Sequence, residues 1–202
     1  MKTAIFGGSF NPVHNGHLHL SAAYCRALSL DRVCFVPAAF PPWKAGEEIA
    51  PAGDRLQMVK LAVQGNAAYF VSDCELRRSG VSYTVDTVEQ FCRDFPSDEL
   101  FLIIGSDQFL QFQKWKDYEK IASGLTVCTA PRVHGLSRAQ LLAHGEKIGL
   151  KRTFVLDPVI YPVLEVSSTE IRSRLHSGRP ISGLVPECVQ KYIYERGLYG
   201  AV

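Results

Sequence analysis

The stretch "GGSFNPVHNGHLHL", residues 7–20, sets three glycines and three histidines directly behind a short run ending in Ala4, Ile5 and Phe6. If a helix begins near Asn15 and Gly16, His14 and His17 lie three apart on one face, so both imidazoles can meet a single group. A neutral imidazole donates one hydrogen bond and an imidazolium two. The first amides of such a helix lack internal partners and its dipole is positive there, which favours an anion. Gly7 and Gly8 are expected to make a sharp turn and let a ligand come close. Gly16 is expected to leave room for a nucleotide. Together these features read as a phosphate cradle whose donors would meet charge that builds up during a reaction. The spacing alone keeps two other readings open. The histidines could be structural, or His14, His17 and His19 could ligate a metal, although no H-E-x-x-H and no nearby carboxylate complete a zinc site. The stretch is neither a Walker A loop, which ends Gly-Lys-Ser/Thr, nor the dinucleotide pattern G-x-G-x-x-G. His19 sits two residues beyond His17, off that face, and reads as incidental.

A second anion site is suggested by "SSTEIR", residues 167–172. Ser167, Ser168 or Thr169 could cap a helix, with Glu170 in its first turn and Arg172 one turn in; a plain N-cap is the bland alternative. Gly105 and Asp107 follow the apolar run "LFLII", where "GSDQ" could equally be only a helix start.

The elements that must position these groups follow from periodicity. Candidate strands lie at 3–6, 32–37, 69–72, 100–104, 125–129 and within 153–166. Between them apolar residues recur at helical spacing: Leu18, Ala22, Cys25 and Leu28; Leu56, Val59 and Val63; Val85, Val88 and Phe91; and, near the end, Val189, Tyr192 and Ile193, with Pro186 placed for a first turn. Strands alternating with helices imply right-handed βαβ units and a parallel sheet. "LFLII" is apolar throughout, as a central strand covered on both faces should be. The expected fold is therefore α/β, a doubly wound parallel sheet in one domain over residues 1–202, with a small C-terminal helical part. Such sheets bind ligands at the C-terminal ends of their strands, which directs attention to the loops after Phe6, Val36, Ile104 and Val166. The loop at 37–53 is rich in Pro, Ala and Gly, and its length suggests a functional role.

Composition is that of a globular protein: 202 residues, 47% hydrophobic and 21% charged. A net charge of +2 gives no reason to expect a nucleic-acid groove or a membrane-binding face. No segment approaches the roughly twenty apolar residues of a membrane span, and no signal peptide is expected. The six cysteines form no C-x-x-C pair, and most lie in apolar runs. Reduced, buried thiols in the cytoplasm are the expectation.

The residues also carry a resemblance. "GGSFNPVHNGH" resembles the signature of nucleotidyltransferases with an H-x-G-H motif, and the rest of the chain resembles the bacterial nicotinate-mononucleotide adenylyltransferases among them. "FPPWK" at 40–44, "SYTVDT" at 82–87, "IIGSDQF" with Trp115 downstream, "VSSTEIRSRL" at 166–175 and "VPECVQKYIYERGLY" near the end each match a segment of that family in order. The resemblance implies a Rossmann-like fold and transfer of the adenylyl group of ATP to nicotinate mononucleotide, giving deamido-NAD and pyrophosphate. It further implies that Gly8, Ser9 and Phe10 line the phosphates through the backbone, that His14 and His17 contact the ATP phosphates, and that Lys44 brings a charge from the long loop. Ser168, Thr169 and Arg172 would meet the triphosphate, with Gly105 and Asp107 on the adenosine side. Thr84 and Trp115 would flank the pyridine ring, and Mg²⁺ would accompany ATP. Two departures stand out: Trp43 where the family more often has histidine, and Ala130-Pro131-Arg132 in place of its Arg-Pro-Gly order. The alternatives are the same chemistry on nicotinamide mononucleotide or phosphopantetheine, a non-catalytic nucleotide-binding module, and a zinc hydrolase built on the histidines. Whether the chain forms a homo-oligomer is left open.

Overall fold

The computed structural model describes residues 1–39, 49–79, 81–132 and 135–201. In chain order the elements are β1 (Lys2–Gly8), α1 (Asn15–Leu28), β2 (Arg32–Pro37), α2 (Ala52–Val63), β3 (Tyr69–Val71), α3 (Cys74–Arg77), α4 (Thr84–Asp94), β4 (Glu99–Ile103), α5 (Ser106–Phe109), α6 (Tyr118–Gly124), β5 (Thr126–Thr129), α7 (Arg138–Lys147), β6 (Thr153–Val155), α8 (Ser168–His176) and α9 (Glu187–Glu195). The six strands form one parallel sheet in the order β3-β2-β1-β4-β5-β6. The order reverses between β1 and β4, which opens a crevice at their C-terminal ends, where the chemistry-bearing loops begin.

Strand residues alternate strictly between two apolar layers. Ala4, Phe6, Val33, Phe35, Phe101 and Ile103 pack on one face, and Ile5, Cys34, Val36, Leu100 and Leu102 on the other. Both sets are buried, so the central strands read as unbroken apolar runs. The first layer is closed by α1, α2, α8 and α9 and the second by α4 and its neighbours.

The sixth strand falls within the stretch expected for it, and residues 156–167 follow without helix or strand, with 163–167 lining the crevice. One feature differs from the sequence expectation. Helix α1 buries Ser21, Ala23 and Tyr24 rather than Ala22. Ser21 is tolerated in the core because its hydroxyl donates to Leu18 O (2.8 Å) and is hydrogen-bonded to the Tyr69 hydroxyl (3.0 Å). Among the described residues no helix is long and apolar enough to cross a membrane. All six cysteines are free thiols; Cys34, Cys74 and Cys128 are buried, whereas Cys188 is exposed.

Candidate active site

A cleft of about 770 Å³ lies at the C-terminal ends of β1 and β4. His14, His17, Ser9, Thr169, Gly105 and Arg132 are among the residues that line it. At its centre the His14 and His17 rings are stacked, 3.7 Å between centroids and 27° between planes. The His14 backbone N–H donates to His17 Nδ1 at 3.2 Å. That nitrogen is therefore an acceptor, and the proton of the neutral ring sits on Nε2. Phe10 meets the His17 ring edge-on at 5.0 Å and Phe6 does so at 5.9 Å, which fixes its plane. His14 is buried, and its Nδ1 has no hydrogen-bond partner. Such an atom is unusual inside a protein and suits a site that receives a polar group.

Both imidazoles are held neutral. Desolvation, aided by the Arg132 charge, lowers the His14 pKa to about 4. Desolvation first, then His14 and Arg132, lowers that of His17. A polyanion in the cleft would thus meet two neutral rings and a guanidinium. The linkage has a definite sign. The unfolded chain takes up the His14 proton near pH 6.5 and the folded one only near 4, so stability is full above 6.5 and falls as pH drops toward 4. Urea denaturation at pH 4.5 should show about 2–3 kcal/mol less stability from His14 than at pH 7.5. A His14→Asn variant should lose that share of the dependence, and an unchanged slope would refute the assignment.

The turn behind these rings is not built as the glycines suggest. Gly7 and Gly8 complete β1, and the left-handed residue is Phe10, with φ 44°. A Cβ on Gly7 would touch nothing, and one on Gly8 would meet the Phe10 ring at 3.2 Å. Gly16 lines the cleft and also makes room for His14: a Cβ there would lie 3.0 Å from His14 Nδ1 and 3.3 Å from Leu164 O. Gly16→Ala should therefore displace the His14 ring and lower kcat about ten- to a hundredfold, since small misplacements near reacting atoms have effects of that order. A kcat within twofold of wild type would show that the ring relaxes freely.

Helix α1 begins at Asn15 as expected, yet three of its first amides are occupied. His14 N–H is on His17 Nδ1, Asn15 N–H on Leu184 O (2.9 Å) and His17 N–H on His14 O (2.9 Å). Anion recognition at this helix therefore falls to the rings more than to the backbone. His19 is not incidental: its Nε2 lies 2.7 Å from Pro162 O and ties the 156–167 segment over the cleft.

At α8, Ser167 is the N-cap, its hydroxyl accepting from Glu170 N at 3.1 Å. Ser168 donates its hydroxyl proton to Pro12 O (2.9 Å), so an anion could use only its backbone amide. Thr169 lines the cleft with no such commitment. Arg172 is buried beneath the cradle, Nη1 on Asn11 O at 2.9 Å, and is not among the residues lining the cleft. Gly105 is the N-cap of α5. Asp107 is exposed and pairs with Arg132, 3.1 Å away. Arg132, the residue whose displaced position in "APR" made its contacts hard to read in sequence, lines the cleft together with the histidine pair.

A smaller recess of about 330 Å³ joins the cleft and holds Thr84 and Trp115, with Ser82, Tyr83, Gln108 and Lys116 around them. Thr84 begins α4, and Trp115 leans on Phe112 at 5.2 Å. Its wall is braced by a network that the sequence reading missed. Arg78 donates to Ser82 Oγ (2.9 Å), Thr87 Oγ1 (2.7 Å) and Gln90 Oε1 (2.8 Å), and Thr87 donates to Glu75 Oε1 (2.9 Å). Lys44 and Trp43 lie outside the described residues. Among the described residues no group of three or more His, Cys, Asp or Glu is placed to hold a metal ion.

A family model described as cytidylyltransferase-like matches residues 5–174. The chain is 41% identical to a protein of Geobacter sulfurreducens named "Probable nicotinate-nucleotide adenylyltransferase", over 98% of each chain. It is 37% identical to one of the same name in Borreliella burgdorferi, over 98% of this chain and 97% of the other. Two solved structures of the Plasmodium falciparum nicotinic acid mononucleotide adenylyltransferase, complexed with NaAD and with APC, match all of this chain with TM-scores of 0.82 and 0.80. They cover 99% and 98% of those chains at 18% identity, a likeness of fold.

Proposed function

The chain belongs to the cytidylyltransferase-like family and, within it, to the nicotinate-nucleotide adenylyltransferases, and from that premise we propose that it transfers the adenylyl group of ATP to nicotinate mononucleotide. The single observation that carries the chemistry is the stacked, neutral His14–His17 pair, with the His17 proton on Nε2, at the switch point of the sheet.

In the proposed reaction a 5′-phosphate oxygen of the mononucleotide attacks the α-phosphorus of ATP. The new O–P bond forms as the bond to the bridging oxygen breaks, and pyrophosphate leaves with that electron pair. The nucleophile is already an anion, so no general base is needed; alignment and charge neutralisation suffice. Donation from His17 Nε2 strengthens as charge collects on the phosphate oxygens. The Ser9 and Phe10 amides, Thr169 and Arg132 surround the same anion. Arg172 supports from beneath through Asn11, and Lys44 would supply further charge. Trp115 offers its indole face to the pyridine ring, and the first amides of α4 near Thr84 suit the ring's carboxylate. The described residues offer no protein cage for Mg²⁺; the ion that ATP carries would rest on phosphate oxygens and water. Six free thiols support a cytoplasmic setting.

The test is a comparison of kcat/KM for nicotinate mononucleotide, nicotinamide mononucleotide and phosphopantetheine, with ATP and Mg²⁺, following pyrophosphate release. Nicotinate mononucleotide should be preferred by at least tenfold, the worth of roughly 1.4 kcal/mol. Preference for another acceptor would reassign the substrate, and no turnover with any would reject transferase activity.

A further inference from the structure

Arg55 is, by volume, the largest fully buried side chain among the described residues, only 1% exposed. Its guanidinium reaches three main-chain carbonyls: Nη1 to Ser9 O at 2.7 Å, Nε to Ala50 O at 3.1 Å and Nη2 to Ala39 O at 3.1 Å. No carboxylate among the described residues pairs with it. The adjacent Asp54 instead accepts from Tyr192 Oη and Arg196 Nε. Desolvation lowers the Arg55 pKa. Burying an unpaired cation is unfavourable, and a helix that needed only packing would place an apolar residue there.

What this cation does follows from peptide geometry. In a trans peptide the carbonyl and the next N–H point in opposite directions. Gly8 O is held by Ala38 N–H at 2.8 Å, and Ser9 O by Arg55. Both carbonyls are thereby turned away from the cleft that Ser9 and Phe10 line, and the Ser9 and Phe10 amides are turned toward it. Successive amides facing one way form a nest that binds anions. The arrangement has to be enforced, because Phe10 holds φ at 44°, an unfavourable conformation for a bulky residue. If the Ser9–Phe10 peptide rotated, a carbonyl oxygen would face the incoming phosphates.

We propose that Arg55 is a positioning residue that locks the Ser9–Phe10 peptide with its amide toward the cleft, and so makes the turn after β1 competent to bind the phosphates of the nucleotide. The proposal rests on the reading that this cleft takes those phosphates. The probe is inorganic pyrophosphate with Mg²⁺, titrated calorimetrically into wild type, Arg55→Met and Arg55→Lys, with circular dichroism as the check on folding. Arg55→Met should bind pyrophosphate at least tenfold more weakly. It should also raise KM for ATP while KM for nicotinate mononucleotide stays within twofold. Arg55→Lys keeps the charge but not the planar fork that spans Ser9 and Ala39, so its loss should be intermediate; if the methionine variant does not fold, the lysine variant carries the test. Folded variants with pyrophosphate affinity within twofold of wild type would overturn the proposal, as would a parallel rise of both KM values. A wild-type chain that binds no pyrophosphate would instead sink the underlying reading of the cleft.

Discussion

His17→Ala should lower kcat by two to three orders of magnitude while the chain stays folded. The ring donates from Nε2 because its Nδ1 is held by the His14 backbone N–H, and its plane is fixed between Phe10 and His14. Alanine removes the donor without leaving a new charge. Loss of one preorganised donor to a developing oxyanion costs about 3–4 kcal/mol of transition-state stabilisation, which is a rate factor of that order. Because the donor acts most strongly in the transition state, KM for ATP should move far less than kcat. Glutamine can place an amide N–H near the Nε2 position, so His17→Gln should retain more activity than His17→Ala. Steady-state kinetics of the three proteins, with thermal melting as the check on folding, settles the matter. A kcat for His17→Ala within fivefold of wild type would remove His17 from the mechanism.

Asn11→Ala should produce the largest loss of stability of any single change near the cleft. Asn11 is fully buried, and its Oδ1 accepts from both Tyr199 Oη at 2.7 Å and Ala50 N at 3.0 Å. The residue therefore joins three distant segments: the turn after β1, the entry to α2 and the C-terminal Leu198–Gly200 turn. Alanine strands two buried donors at once. At about 1–3 kcal/mol for each, the expected loss is about 2–6 kcal/mol. Tyr199→Phe removes one donor and leaves Oδ1 still bonded to Ala50, so it should cost only about 1 kcal/mol. Urea midpoints for the two variants measure the difference. Equal losses would mean that the asparagine matters for its shape and not for its acceptor. Since Arg172 holds the Asn11 carbonyl, the same variant should also lower activity through the cradle.

Much of this protein was legible in sequence because the relevant signals are local. Strands buried on both faces leave unbroken apolar runs, and β2 lies at 32–37 as the periodicity implies. The helix start at Asn15 matches the position read from spacing, and the start at Ser168 is one of those that the candidate capping residues left open. The pairing of His14 with His17 needed nothing beyond an interval of three.

The residues that escaped were those whose partners are remote. Arg55 follows Asp54 at the start of an amphipathic helix, where two charges ordinarily face water. Nothing in the local pattern says that one of them will enclose itself in carbonyls from Ser9, Ala39 and Ala50. Glu75, Thr87 and Arg78 look like ordinary surface residues until β2, α3 and α4 are packed together. The glycines misled for a related reason. Gly7 and Gly8 suggested a turn, but a glycine permits a left-handed conformation without requiring one, and the chain placed that conformation at Phe10.

The sequence by itself therefore determined the alternation of strands and helices, the parallel sheet and the histidine pair at the end of its first strand, since these depend on spacing along the chain. Only the tertiary structure decided which groups serve the cleft and which support it. It set Arg132 in the cleft with the rings, Arg172 beneath the turn, the Ser168 hydroxyl on Pro12 and His19 on Pro162 in the segment that borders the cleft. The physical reason is that a hydrogen-bonding group is assigned by what lies within about 3 Å of it, and for these residues that neighbour is many positions away in the chain.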